Sequence, residues 1–212
     1  MGNKLVEQEC LNAILTYQTN DESFCSLQRF LIKNNLQSSE QPDFVCAGDK
    51  MVIGLEHFRY DMLCDSKGQS LHGKEFSAFN KAQKKSEAER TEMLQKIIQE
   101  QCNGVFNFNI ETSVASFLKC ACSHNDKIDK YRNNLLNIYG EKEIAIFAIV
   151  DMYCVRIPWL QPKDAYLFLQ SFLDGCHKGL DNFDGFIICA HDYKGYQNVL
   201  CAYGSIQEPV EI

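Results

Sequence analysis

The run "EIAIFAIVDMYCV" at 143–155 constrains the fold more than any other stretch of the chain. It is apolar almost throughout, without the strict alternation of a strand that has one wet face. Such a run reads as a central strand buried on both sides. A strand of that kind needs a layer of helices against each face of its sheet, which points to an α/β fold. Its seven-residue centre "IAIFAIV", at 144–150, is too short to span a bilayer. With 212 residues, 45% hydrophobic and 23% charged, the chain can bury a core, and it reads as a single α/β domain over 1–212.

The flanking pattern supplies the layers. Residues 3–17 carry Val6, Cys10, Ala13, Ile14 and Tyr17 at helical spacing. A second helix is expected over 21–36, with Asp21 as its N-cap and Phe24, Leu27 and Leu31 on its apolar face. "QSSEQP" breaks that pattern, and "DFVCA" and "MVIGLEHF" follow as two strands joined by the turn "GDK". The stretch 65–113 reads as an insertion; within it, 74–100 has nearly balanced lysines, arginines and glutamates, as in a solvated helix. Residues 114–138 are expected to form one long amphipathic helix through Val114, Phe117, Leu118, Ala121, Ile128, Tyr131 and Leu135. After the 143–155 strand, 163–173 reads as a helix, and "GFIICAH" and "NVLCAYG" as two further strands. The expected fold is a mixed central sheet flanked by helices. If "GLEHF" and "IAIFAIV" lie parallel, the long connection between them must be helical.

Composition narrows the function. A net charge of −7 disfavours nonspecific coating of nucleic acid, so any such contact must be local, through a basic patch such as "KAQKK" or a metal bridging phosphate to carboxylate. The 11 cysteines are odd in number and irregularly spaced, which suits reduced thiols better than a disulfide framework. No signal-peptide pattern opens the sequence, and a soluble cytoplasmic protein without membrane association is expected. There is no G-x-G-x-x-G, no P-loop and no H-E-x-x-H. "CACSH" (Cys120, Cys122, His124) and "CAH" (Cys189, His191) suggest zinc. In the first, Cys120 and Cys122 lie on a helix at a spacing that points them apart; in the second, both residues share a strand face.

The acids of "QPDFVCAGDKMVIGLEHFRYD" carry the strongest chemical signal. Asp43 opens one strand of the hairpin and Glu56 lies near the end of the next. Two carboxylates on neighbouring strands can hold Mg²⁺ or Mn²⁺ and leave positions for water and phosphate. The alternative is a turn aspartate after proline and a glutamate facing solvent.

Pro42-Asp43, the turn and "IGLEHF" with Glu56 resemble the PD-(D/E)XK nuclease-like superfamily. The resemblance covers residues 42–58 by motif, and about 22–155 by element order with the insertion set aside. It implies a restriction-endonuclease-like core of helix, three strands, helix and strand, here with a helical insertion. It also implies Mg²⁺- or Mn²⁺-dependent hydrolysis of phosphodiester bonds, with DNA a more natural partner than RNA and a homodimer an open assembly. Asp43 and Glu56 would be the metal ligands, and Glu40, or Glu22 on the preceding helix, a further acid. The family's lysine would fall at position 58, which is Phe58. His57 and Arg59 lie on the other face of the strand, so Lys127 and Lys130 are the candidates for a relocated lysine. If neither serves, the resemblance implies a catalytically inactive nuclease-fold protein that acts as a binding module.

Overall fold

The computed structural model describes residues 2–61, 89, 110–153, 172–192 and 195–203. Helices α1 (Gly2–Thr16) and α2 (Glu22–Lys33) come first. The edge segment β1 (Gln37–Ser38) and the strands β2 (Phe44–Ala47) and β3 (Met51–Asp61) follow. Then come α3 (Ile110–Asn125), α4 (Ile128–Tyr139) and β4 (Glu143–Tyr153). Residues 172–179 are helical (α5), and β5 (Gly185–Asp192) and β6 (Gly195–Tyr203) close the sheet. The strands lie in sequence order, β1 to β6. The pairings β3–β4 and β4–β5 are parallel and the others antiparallel, so the sheet is mixed and open.

β4 is buried from Ile144 to Met152. On one face, Val52, Phe58, Ile146 and Val150 pack against Phe117, Ile128, Tyr131 and Leu135 from α3 and α4, and Phe172 from α5. On the other, Ile53, Leu55, Phe147 and Ile187 pack against Cys10, Ile14, Phe24 and Leu31 from α1 and α2. Each layer is also tied by polar contacts. Asp21 Oδ1 accepts from Phe24 N–H at 2.9 Å, capping α2 as expected. The buried Gln28 amide donates to Ile14 O at 2.7 Å and Tyr17 O at 2.9 Å, closing the end of α1 onto α2. Arg132 on α4 donates to Ile144 O at 2.7 Å and to Asp184 Oδ2 at 3.1 Å, which seats α4 over β4 and β5.

Three expectations change. The helix read as one piece over 114–138 is two, broken by a turn at Asp126-Lys127. Asp126 N–H still reaches Cys122 O, while Lys127 N–H bonds His124 O, a three-residue step that tightens the last turn. The chain from 37 to 38, read as a break, pairs with β2 because Ser39 N–H donates to Asp43 O at 2.7 Å and folds it back. Residues 110–113, placed in the insertion, already belong to α3. The rest of the insertion, apart from residue 89, and residues 163–171 of the expected helix lie outside the described residues. Among the described residues no helix is long and apolar enough to cross a membrane.

Gly54 faces α4 from the middle of β3. A Cβ there would come within 2.7 Å of Pro42 Cγ and 3.3 Å of Leu135 Cδ1. Gly54→Ala should therefore destabilise the fold by about 1–3 kcal/mol through overpacking. Urea unfolding measures this, and an unchanged midpoint would contradict the close packing of α4 on β3.

Candidate functional site

β3 has 11 residues and β2 only four, so β2 stops pairing at Phe44–Leu55. The next pair outward is Asp43 and Glu56. Asp43 takes over where the ladder ends: its Oδ2 accepts the His57 N–H at 2.7 Å. Glu56 is only 5% exposed and points to the α3–α4 face. There its Oε1 meets His124 Nδ1 from α3 at 2.9 Å and the Tyr131 hydroxyl from α4 at 3.4 Å. With Glu56 ionised, Nδ1 is the donor. The His124 ring stacks on Phe58, with centroids 4.7 Å apart and planes at 18°. Phe58 therefore fills the lysine position of the motif with a platform for a histidine.

Asp43 carries an electrostatic strain. Burial pushes the Asp43 carboxyl up to about 6, the charge of Glu56 adds to the rise, and the His57 N–H opposes it. Burial likewise raises the Tyr131 hydroxyl to about 12, with Glu56's charge adding to it. Beside these groups lies a cavity of about 270 Å³ between α1 and α3, lined by Glu7, Phe58, Arg59, Cys120 and His124 among others.

The other expected residues stand apart. Glu40 is exposed in the bend before β2. Glu22 is exposed in the first turn of α2, in the helical layer on the other side of the sheet from Glu56. Lys127, in the turn between α3 and α4, and Lys130, on α4, are both exposed, and neither forms an ion pair among the described residues. Cys122 is exposed and Cys120 half-buried, so the "CACSH" thiols diverge as their helical spacing requires. Seven of the described cysteines form no disulfide.

His57 turns the opposite way. Its side chain is only 6% exposed and lies 3.4 Å from Asp151 Oδ2 on β4. Burial would lower the imidazole, but Asp151 and Cys10 overcome it and hold His57 up to about 9. A hydrogen bond from the Cys189 thiol pulls the Cys10 thiol down to about 7 against its burial. The pleat of β3 thus presents Glu56 to one helical layer and His57 to the other. His124 and Tyr131 were missed as partners of Glu56 because only the packing of α3 and α4 on β3 brings them there.

No family model, curated protein or solved structure matches the chain.

Because the folded protein holds Asp43 up to about 6, against an ordinary 3.8, it binds this proton more tightly than the unfolded chain. The resulting stability is complete below about pH 4 and is lost as pH rises through 6. Asp43→Asn should then stabilise the metal-free protein at pH 7 by about 1 kcal/mol, a value discounted because the half-buried group is partly screened by solvent. Thermal melts at pH 4 and pH 7 test this; a variant less stable than wild type at pH 7 would contradict the strain.

Proposed function

We propose that the chain is a metal-dependent nuclease-like protein that cleaves phosphodiester bonds in DNA, with Asp43 and Glu56 holding Mg²⁺ or Mn²⁺. The observation that carries this reading is the pair of carboxylates at the mouth of the β2–β3 hairpin, where burial first and Glu56's charge second push Asp43 up to about 6. Acids brought together at such a cost suit a cation that repays it. The donor set fits a hard ion, which takes carboxylate oxygens and keeps several waters. Among the described residues, no hydrogen bond engages Asp43 Oδ1 or Glu56 Oε2, while the other oxygen of each is used to fix its orientation. When bound, such an ion neutralises phosphate charge and lowers the pKa of a coordinated water.

The chain's own residues orient and exchange protons. The His57 amide holds Asp43, and His124 and Tyr131 hold Glu56. With Nδ1 on Glu56, His124 has Nε2 left to exchange a proton with cavity water, the kind of work a lysine does in the motif. Arg59 lines the same cavity. The order α2, β1–β3, α3–α4, β4 supports a restriction-endonuclease-like core. "KAQKK", the expected basic patch, lies outside the described residues.

One observation favours a second reading, an inactive relative that binds without cleaving: Phe58 replaces the lysine, and Lys127 and Lys130 make no ion pair with either acid. Titration calorimetry with Mn²⁺, alone and with a DNA oligonucleotide, separates the cases when paired with a cleavage assay. The nuclease reading predicts Mn²⁺ binding and cleavage, with Glu56→Gln slowing cleavage at least about 100-fold, the scale of losing one electrostatic stabiliser. Mn²⁺ binding without cleavage of any nucleic acid selects the second reading. Absence of binding, with DNA present, removes the metal centre altogether.

A further inference from the structure

Among the described buried residues, the face of the sheet covered by α1 and α2 is apolar except where Asp151 meets His57. Asp151 is fully buried there, between Ile149 and the end of β4. Neither of its carboxylate oxygens has a hydrogen-bond partner, and nor does His57 Nε2, because their 3.4 Å contact lacks hydrogen-bond geometry. A bare carboxylate in such a place is costly unless a charge and directed donors compensate it. Ordinary buried acids are fully hydrogen-bonded, and Asp151 has only the ion pair with His57, which leaves both its oxygens open to a further partner.

The surroundings indicate which partner. One donor atom each from Cys10, His57 and Asp151 lies within 4.8 Å of the other two. Cys189, in register with Asp151 on the neighbouring strand, is hydrogen-bonded to the Cys10 thiol. Thiolate, imidazole and carboxylate are the donors of zinc, whereas magnesium and calcium want oxygen alone. Metal–ligand bonds of about 2.0–2.3 Å put tetrahedral donors roughly 3.3–3.8 Å apart, so closing Cys10, His57 and Asp151 needs a contraction of at most about 1 Å, and Cys189, outside that group, must move further. Cys10, Asp151 and Cys189 have no exposed surface, which suits a closed structural ion rather than a catalytic one.

We propose that Cys10, His57 and Asp151 bind a zinc-class ion, with Cys189 supplying the fourth position. The ion would pin α1 to β3, β4 and β5. It is separate from the Asp43–Glu56 centre, uses softer donors and lies on the opposite face of the sheet. Its existence does not depend on the nuclease reading.

The test uses the full chain, stripped with a chelator and titrated with Co²⁺ alone. A thiolate-to-cobalt charge-transfer band should grow to one equivalent, with the visible bands of a four-coordinate ion, and Zn²⁺ should displace it. Asp151→Asn removes the orphaned charge and so should fold without metal. It should weaken Co²⁺ binding by more than the roughly 10–100-fold typical of losing an outer-shell partner. Cys10→Ser should abolish the charge-transfer band or shift it strongly, and Glu56→Gln should leave it intact at one equivalent. A wild-type protein without the band overturns the proposal. So does a band of unchanged affinity in Asp151→Asn, which would place the thiolate ligand among the other cysteines.

Discussion

Side chains on a β-strand alternate between its two faces, and on β3 that alternation decides where every chemical group can act. Because helices cover both faces of the sheet, no position from Val52 to Phe58 can point to bulk solvent without consequence. Val52, Gly54, Glu56 and Phe58 meet α3 and α4, while Ile53, Leu55 and His57 meet α1 and α2. The two polar residues at 56 and 57 are adjacent in sequence and separated by the thickness of the sheet. Each is met by a polar group from the helices above it: His124 and Tyr131 for Glu56, Cys10 for His57. The His57 amide joins the two sides, since it holds Asp43 while its own side chain faces Asp151.

Length mismatch between strands then makes the site. β2 ends its pairing where β3 continues, so the His57 N–H needs a side-chain acceptor and Asp43 becomes one. That places a carboxylate beside Glu56 and leaves the outer part of β3 to α1 and α3, which wall the cavity. Packing of Phe58 on His124 sets the imidazole against Glu56. Few of these contacts are strong alone. Together they hold two acids at a position where one of them resists ionisation.

Much of the fold was legible because burial writes itself into hydropathy. The unbroken run at 144–150 announced a doubly covered strand, but hydropathy left open whether it ran parallel to β3, which the register decides. The break in the 114–138 helix was not legible. Ala121 and Ile128 are seven residues apart, two helical turns, so the apolar spacing continues straight through the turn at 126–127. Two exposed polar residues gave no sign of β1, whose pairing depends on Ser39 and Asp43. At the site, the hairpin made Asp43 and Glu56 visible as a pair because the turn is local. His124 and Tyr131 reach Glu56 across 68 and 75 residues, which no spacing encodes. Asp151 did leave a trace: an acid inside an otherwise apolar central strand is an anomaly, and its meaning emerged only when Cys10 and His57 were found beside it.

Anomalous diffraction from crystals grown with Mn²⁺, recorded on either side of the manganese edge, tests the acid pair most directly. A single manganese peak bonded to Asp43 and Glu56 on the α3–α4 face, at oxygen distances of about 2.0–2.6 Å, is the expected result. Glu56 bound only to His124 and Tyr131, with no metal at the hairpin mouth even with an oligonucleotide present, would contradict it.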